Sequence, residues 1–143
     1  MKNIADNMRV YPDKNNVSIG ALGVSETAKR DTREYDKGAF LILLERDSTP
    51  SAKLEILADT AAEDAEEVIF TQENITVTGL YIVEYKAENM PDGKPKIALR
   101  LTEASGGALD RWNISVIHLT YDFHRSFEEL TDTALAIYKL WES

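Results

Sequence analysis

The order of apolar and polar positions divides the chain into a strand-rich body and a C-terminal stretch of helical period. Phe40–Leu44 is a continuous apolar run, FLILL, the pattern of a strand covered on both faces. After the turn-rich RDSTPSA, the segment KLEILAD alternates, with Leu54, Ile56 and Ala58 on one side. Val68–Gln72 reads as another short strand. The longest alternation is ITVTGLYIVEYKAEN: Ile75, Val77, Tyr81, Val83 and Tyr85 share a face, and Thr76, Thr78, Leu80, Ile82, Glu84 and Lys86 the other. Its β-branched and aromatic residues suit a pleated, half-buried surface, and Gly79 marks a bulge or bend. The turn NMPDGKP, with Asp92-Gly93 at its tip, joins this strand to KIALRLT, where Ile97, Leu99 and Leu101 line up. Together they predict an antiparallel hairpin.

The stretch Ile114–His124 alternates again. Ile117, Leu119, Tyr121 and Phe123 form the expected core face, and His118, Thr120, Asp122 and His124 a wet one. Ser126 with Glu129 three residues on has capping-box spacing. Phe127, Leu130, Ala134, Ile137, Tyr138 and Trp141 recur at helical period, so a helix is expected over about 127–141, packed on the sheet. Thr60 and Glu63 repeat the capping spacing and predict one or two helical turns over 60–67.

The first 38 residues look different. VSIGALGV is apolar but interrupted by Gly20 and Gly23, which suits a short strand or irregular packed segment. Ser25–Gly38 holds four acids, four bases and a single large apolar residue, Tyr35, so it reads as a long exposed loop or arm. The whole is expected to be a single α+β domain over residues 1–143. A mostly antiparallel sheet or small sandwich of five or six strands fills 39–143, with a C-terminal helix on it and a flexible N-terminal arm over 1–38.

Charge adds one feature. Between Leu54 and Tyr85 lie eight acids and no Lys or Arg, which accounts for nearly all of the net charge of −9. Such a surface would repel phosphate backbones, so no nucleic-acid partner is expected. Glu63, Asp64, Glu66 and Glu67 become candidate contacts for a basic protein. With no run of 18 apolar residues, no membrane partner is expected either. The first residues lack an apolar signal core, and cysteine is absent, so a cytoplasmic location or incorporation into a particle is expected, without disulfides or thiolate metal sites. The sequons at Asn16, Asn74 and Asn113 read as turn and strand-edge asparagines.

Candidate chemistry is sparse. His118 and His124, six residues apart on one strand, would lie about 20 Å from each other and cannot share a metal. Asp122 and His124 are the one candidate catalytic pair, a carboxylate beside a general base. No nucleophile elbow or phosphate-binding glycine loop accompanies them. Asp59, Glu63 and Glu66 would share a helical face, but without a calcium-loop pattern. No metal or cofactor is therefore expected. Tyr81, Tyr85 and Trp112 are candidate stacking residues for a small ligand or sugar, against core packing as the alternative. The expected function leans away from an enzyme. It is a protein-interaction or assembly module, such as a phage or virion component. The alternatives are an acidic inhibitor of a basic protein, a small-ligand or carbohydrate-binding module, and an unfamiliar hydrolase.

Overall fold

The computed structural model describes residues 8–122 and 134–140. Among these, ten strands form two sheets. They are β1 (Met8–Ile19), β2 (Val24–Glu26), β3 (Arg30–Asp31), β4 (Lys37–Asp47), β5 (Ala52–Asp59), β6 (Glu67–Ile75), β7 (Gly79–Lys86), β8 (Lys96–Glu103), β9 (Arg111–Tyr121) and β10 (Ala134–Lys139). One sheet has the order β1-β9-β4-β7-β10; the other runs β2-β8-β5-β6, with β3 also paired to β8. Without β3 and β10, two antiparallel four-stranded sheets of order 1-9-4-7 and 2-8-5-6 remain, the strand order of a jelly roll.

Alternation explains why the sheets face each other. Phe40, Ile42 and Leu44 of β4, Tyr81, Val83 and Tyr85 of β7, and Trp112, Ile114 and Val116 of β9 point inward. They meet Leu54 and Ile56 of β5 and Ile97, Leu99 and Leu101 of β8. Each such side chain contributes about 1.5–3 kcal/mol by leaving water. Gly38 makes room for the Tyr85 ring on the neighbouring strand β7: a Cβ there would sit 2.1 Å from that ring. On the open side, Phe70 of β6 touches Tyr138 of β10, ring centroids 5.3 Å apart.

The structure departs from the α+β expectation in several places. The part of the expected C-terminal helix that is described, Ala134–Lys139, is a strand lying parallel to β7, Ala134 beside Leu80 and Lys139 beside Glu84. ALAIYK serves either period, since Ile137 faces outward and Tyr138 inward on a strand. The free edge of β7 offered unpaired N–H and C=O groups, and pairing with them overrode the local pattern. Ser126, Phe127 and the rest of that expected helix lie outside the described residues.

Second, the long alternating run is two strands. β6 ends at Ile75 and β7 begins at Gly79, with an exposed turn between them. Third, β7 and β8 are no hairpin, because the connection through Asp92-Gly93 crosses from one sheet to the other. The helical turns expected over 60–67 are a turn as well, closed by Glu63 N–H to Thr60 O (2.9 Å) and capped by Thr60 Oγ1 accepting from Asp64 N–H. Fourth, much of the supposed arm is built into the sandwich. β1 runs along β9 from Met8↔Tyr121 to Ile19↔Trp112. The charged segment after it is held by hydrogen bonds instead of apolar burial. Thr27 N–H donates to Leu99 O, Leu99 N–H to Thr27 Oγ1, and Thr32 through both N–H and Oγ1 to Pro95 O.

Candidate functional site

The face assignment of β9 is the reverse of the expected one. Trp112, Ile114, Val116 and His118 point into the sandwich, and Ile117, Leu119 and Tyr121 point out. His118 is 0% exposed. It stacks on Phe40, and its Nε2 lies 2.6 Å from the Tyr85 hydroxyl. Its Nδ1 is 3.9 Å from Oδ2 of Asp13. Asp13 reaches inward because β1 shifts register between Tyr11 and Lys14, a bulge that places Pro12-Asp13 opposite a single residue of β9. There it pairs with Arg30, whose guanidinium lies 3.9 Å above the Tyr11 ring. Burial, and to a lesser degree Arg30, hold the His118 pKa down at about 3, so the ring is neutral. Burial likewise raises the Tyr85 phenol above the usual range. The order Tyr85–His118–Asp13 resembles a proton relay, but all three side chains are closed to solvent. Its work is to join β1, β3, β7 and β9 inside the sandwich.

Asp122 accepts a hydrogen bond from Asp36 N–H (2.8 Å) and so fixes the start of β4 to the end of β9; His124 lies outside the described residues. Tyr81, Tyr85 and Trp112 are all in the inter-sheet core, with Tyr81 Oη donating to Val77 O. Five of the eight acids of the 54–85 segment, Glu55, Asp59, Glu63, Glu66 and Glu67, pair with bases from outside the segment. Arg100 bonds Glu55 (3.0 Å), Glu26 (3.2 Å) and Glu66 (3.1 Å). Lys29 bridges Asp59 (2.6 Å) and Glu66 (3.0 Å). Lys96 lies near Glu63, Lys94 bonds Glu67, and Asp64 is hydrogen-bonded to Thr60. Lys29, together with backbone N–H groups of Ala65 and Thr60, holds the Asp59 carboxyl at about 2 against the opposing effect of burial. Among the described residues, no three His, Cys, Asp or Glu side chains gather as metal ligands.

What remains unmatched is apolar. The outer face of the five-stranded sheet carries a second, buried cluster of Ala39, Ile82, Leu119 and Tyr121, with the partly buried Met8, Leu41, Leu80, Ala134 and Ile137 packed against it. At its border Val10 is 56% exposed and Ile117 40%; Leu43 is similar. The register makes these neighbours: Val10 faces Leu119, Ile117 faces Leu41, and Leu43 faces Leu80. Sequence reading missed this face because the β9 alternation was assigned to the wrong side. The available signal was FLILL, which is apolar on both sides and so demands cover on both.

The loops at one end form a second distinct region. The buried Glu103 carboxylate accepts from the N–H groups of Ser51 (3.1 Å), Ser105 (3.1 Å) and Gly106 (2.8 Å), and Leu22 N–H points at it from 3.5 Å. Asp110 accepts from Thr49 N–H, and Ser105 Oγ lies between the two carboxylates. Burial alone would raise the Glu103 pKa, but the Gly106, Ser105 and Ser51 bonds more than offset it and lower it. Gly107 permits the arrangement, since a Cβ there would sit 2.3 Å from Asp110 Oδ2.

No protein-family model matches the chain, and no curated protein matches it. Solved structures do. The VP2 subviral particle of infectious bursal disease virus matches with a TM-score of 0.51 at 13% identity, over 82% of this chain and 33% of that one. The SPBc2 prophage-derived protein YomS matches at 0.49 and 8% identity, over 80% of this chain and 92% of that one. A mutant family 29 carbohydrate-binding module matches at 0.44 and 15% identity, over 80% and 93%. The chain thus spans about a third of the length of the capsid protein. At these identities the likeness is one of fold: this chain has a β-sandwich like that of a virus capsid protein.

Proposed function

We propose that the chain is a non-enzymatic interaction and assembly module of the kind that builds a phage or virus particle, and that the outer face of its five-stranded sheet meets a neighbour. The observation that carries this is the group of exposed apolar residues Val10, Leu43 and Ile117 at the border of the buried outer cluster of Ala39, Ile82, Leu119 and Tyr121. A patch of that kind, on a molecule whose other sheet is covered in matched charges, marks a contact surface. The capsid likeness supports a fold suited to assembly and goes no further. Light scattering after size exclusion, over a range of concentrations, tests the reading. Self-association is expected for the wild type and its loss for Ile117→Lys, with the unfolding midpoint nearly unchanged. A wild-type protein that stays monomeric at high concentration would refute it.

A further inference from the structure

β1 is weakly anchored for a strand of its length. Of its 12 residues only Ile19 is buried, whereas β4, β7 and β9 each bury five or more. Its neighbour among the described strands is β9, and that ladder shifts register twice, between Tyr11 and Lys14 and between Lys14 and Val17. What fixes it in place is a polar clasp. Asp13 pairs with Arg30 of β3 and faces His118 of β9, with Tyr11 under the Arg30 guanidinium. Every group that receives β1 therefore lies beyond residue 23 of the chain.

The connection from β1 to that body is short and strained. Gly20-Ala21-Leu22-Gly23 leads from one sheet to the other in a turn closed by Gly23 N–H to Gly20 O (2.8 Å). Leu22 holds a φ of +57° at the third position of this turn, where glycine or asparagine belongs. Its side chain is 65% exposed and gains little burial in return. A Cβ at Gly23 would meet Gly20 O at 2.9 Å, so the closed turn excludes a side chain there. Extending the segment would release Leu22 from its left-handed backbone. A short hinge under strain, beside an edge strand, favours exchange of that strand between identical copies.

We infer that β1 is an exchangeable strand: the Gly20–Gly23 turn opens, and β1 of one copy pairs with β9 of a second copy of this chain. The occupant of the β9 edge is known because β1 already fills it, from Met8 against Tyr121 to Ile19 against Trp112, with Asp13 in its clasp. The exchanged pair repeats these contacts and gives up the closed turn. It also brings two chains together, so exchange rises with concentration. Arg9 and Lys14 against Asp13 give β1 a charge of +1 on a chain of −9, so the strand itself carries no like charge into the contact. Salt screens the repulsion between the two acidic bodies. The contact lies at the β9 edge, apart from the exposed Leu43 and Ile117 of the sheet-face reading, and either can fail without the other.

The chain has no cysteine, so single cysteines report the pairing. Ser18 faces Asn113 across β1 and β9, and neither is buried. Full-length Ser18→Cys and Asn113→Cys proteins are mixed, unfolded in urea, refolded together at low and high concentration, and oxidised. Cross-strand partners are close enough for a disulfide, which here joins the two proteins where β1 of one lies on β9 of the other. A non-reducing gel should show a cross-linked dimer that rises with refolding concentration and exceeds what either protein gives alone. Gly23→Val in both proteins should raise its yield several-fold by barring the closed turn. Leu22→Asn should lower it about fivefold or more, since asparagine accepts the left-handed conformation. Cross-linking no greater in the Gly23→Val mixture than in its separate components would overturn the inference. So would a Leu22→Asn yield equal to that of the parent pair, which decides the matter even where the valine protein does not fold. Ile117→Lys in both proteins separates the two contacts. A yield that persists supports exchange; a yield that disappears assigns the dimers to the sheet face and overturns it.

Discussion

The two outer faces of the sandwich solve the same problem in opposite ways. Outside β5 and β8, Glu55, Asp59 and Arg100 join Glu26, Lys29 and Glu66 in a lattice that matches charge with charge inside one molecule. On the outside of the other sheet, Val10, Leu43 and Ile117 stand exposed at the border of a buried cluster of Ala39, Ile82, Leu119 and Tyr121. Matched ions need nothing further, whereas an apolar surface gains free energy from any cover that excludes water. The difference teaches that net charge along a chain is a poor guide to its contact surface. Most of the acids in the acid-rich segment already have a base within the same molecule.

Acid should separate the two sheets most strongly. The folded state keeps His118 neutral down to about pH 3, while the unfolded chain takes up its proton near 6.5. The unfolded state therefore binds more protons in that window, and stability falls as pH drops through it, by roughly 5 kcal/mol in all. Urea unfolding across pH should show this fall, and His118→Gln, though less stable at pH 7, should flatten it. The other sheet responds lower. Glu55, Asp59 and Glu66 have lowered pKa values, so their contribution is full above about pH 4 and is lost as pH falls towards the Asp59 value of about 2. A His118→Gln protein as acid-labile as wild type between pH 6.5 and 4 would undo this assignment to separate windows.

Next in size is Arg100→Met, expected to cost about 2–3 kcal/mol because it strands Glu55, Glu26 and Glu66 together. A cost below about 0.5 kcal/mol would show the lattice to be ornamental. On the apolar side, Ile117→Lys should change monomer stability by less than about 1 kcal/mol, the side chain being already in water in part. Leu22→Asn should raise stability by about 1 kcal/mol through relief of its left-handed backbone, seen as a higher urea midpoint. Smallest is Lys94→Ala, whose partner Glu67 is half exposed, with a loss under about 0.5 kcal/mol.

The sequence carried the strands better than their partners. Ile97, Leu99 and Leu101 point to the core as their alternation predicts, and so do Tyr81, Val83 and Tyr85. Which strand pairs with which is set by contacts between residues far apart in sequence, which no local pattern encodes, so β7–β8 looked like a hairpin. β9 was assigned the wrong way round because a histidine was read as wet and Ile117 as buried. Asp13 and Tyr85 make the interior tolerable for His118, and neither is adjacent to it in sequence.

The pairing of β1 with β9 also fixes a schedule. Met8 meets Tyr121 across more than a hundred residues of intervening chain. At about 5–20 residues per second of synthesis, β1 waits on the order of ten seconds for its neighbour among the described strands. During that interval β4 too lacks its β9 partner, with FLILL on an unpaired edge. The newborn chain is therefore most vulnerable to aggregation just before β9 emerges, and slower translation of the 87–110 region would lengthen that exposure.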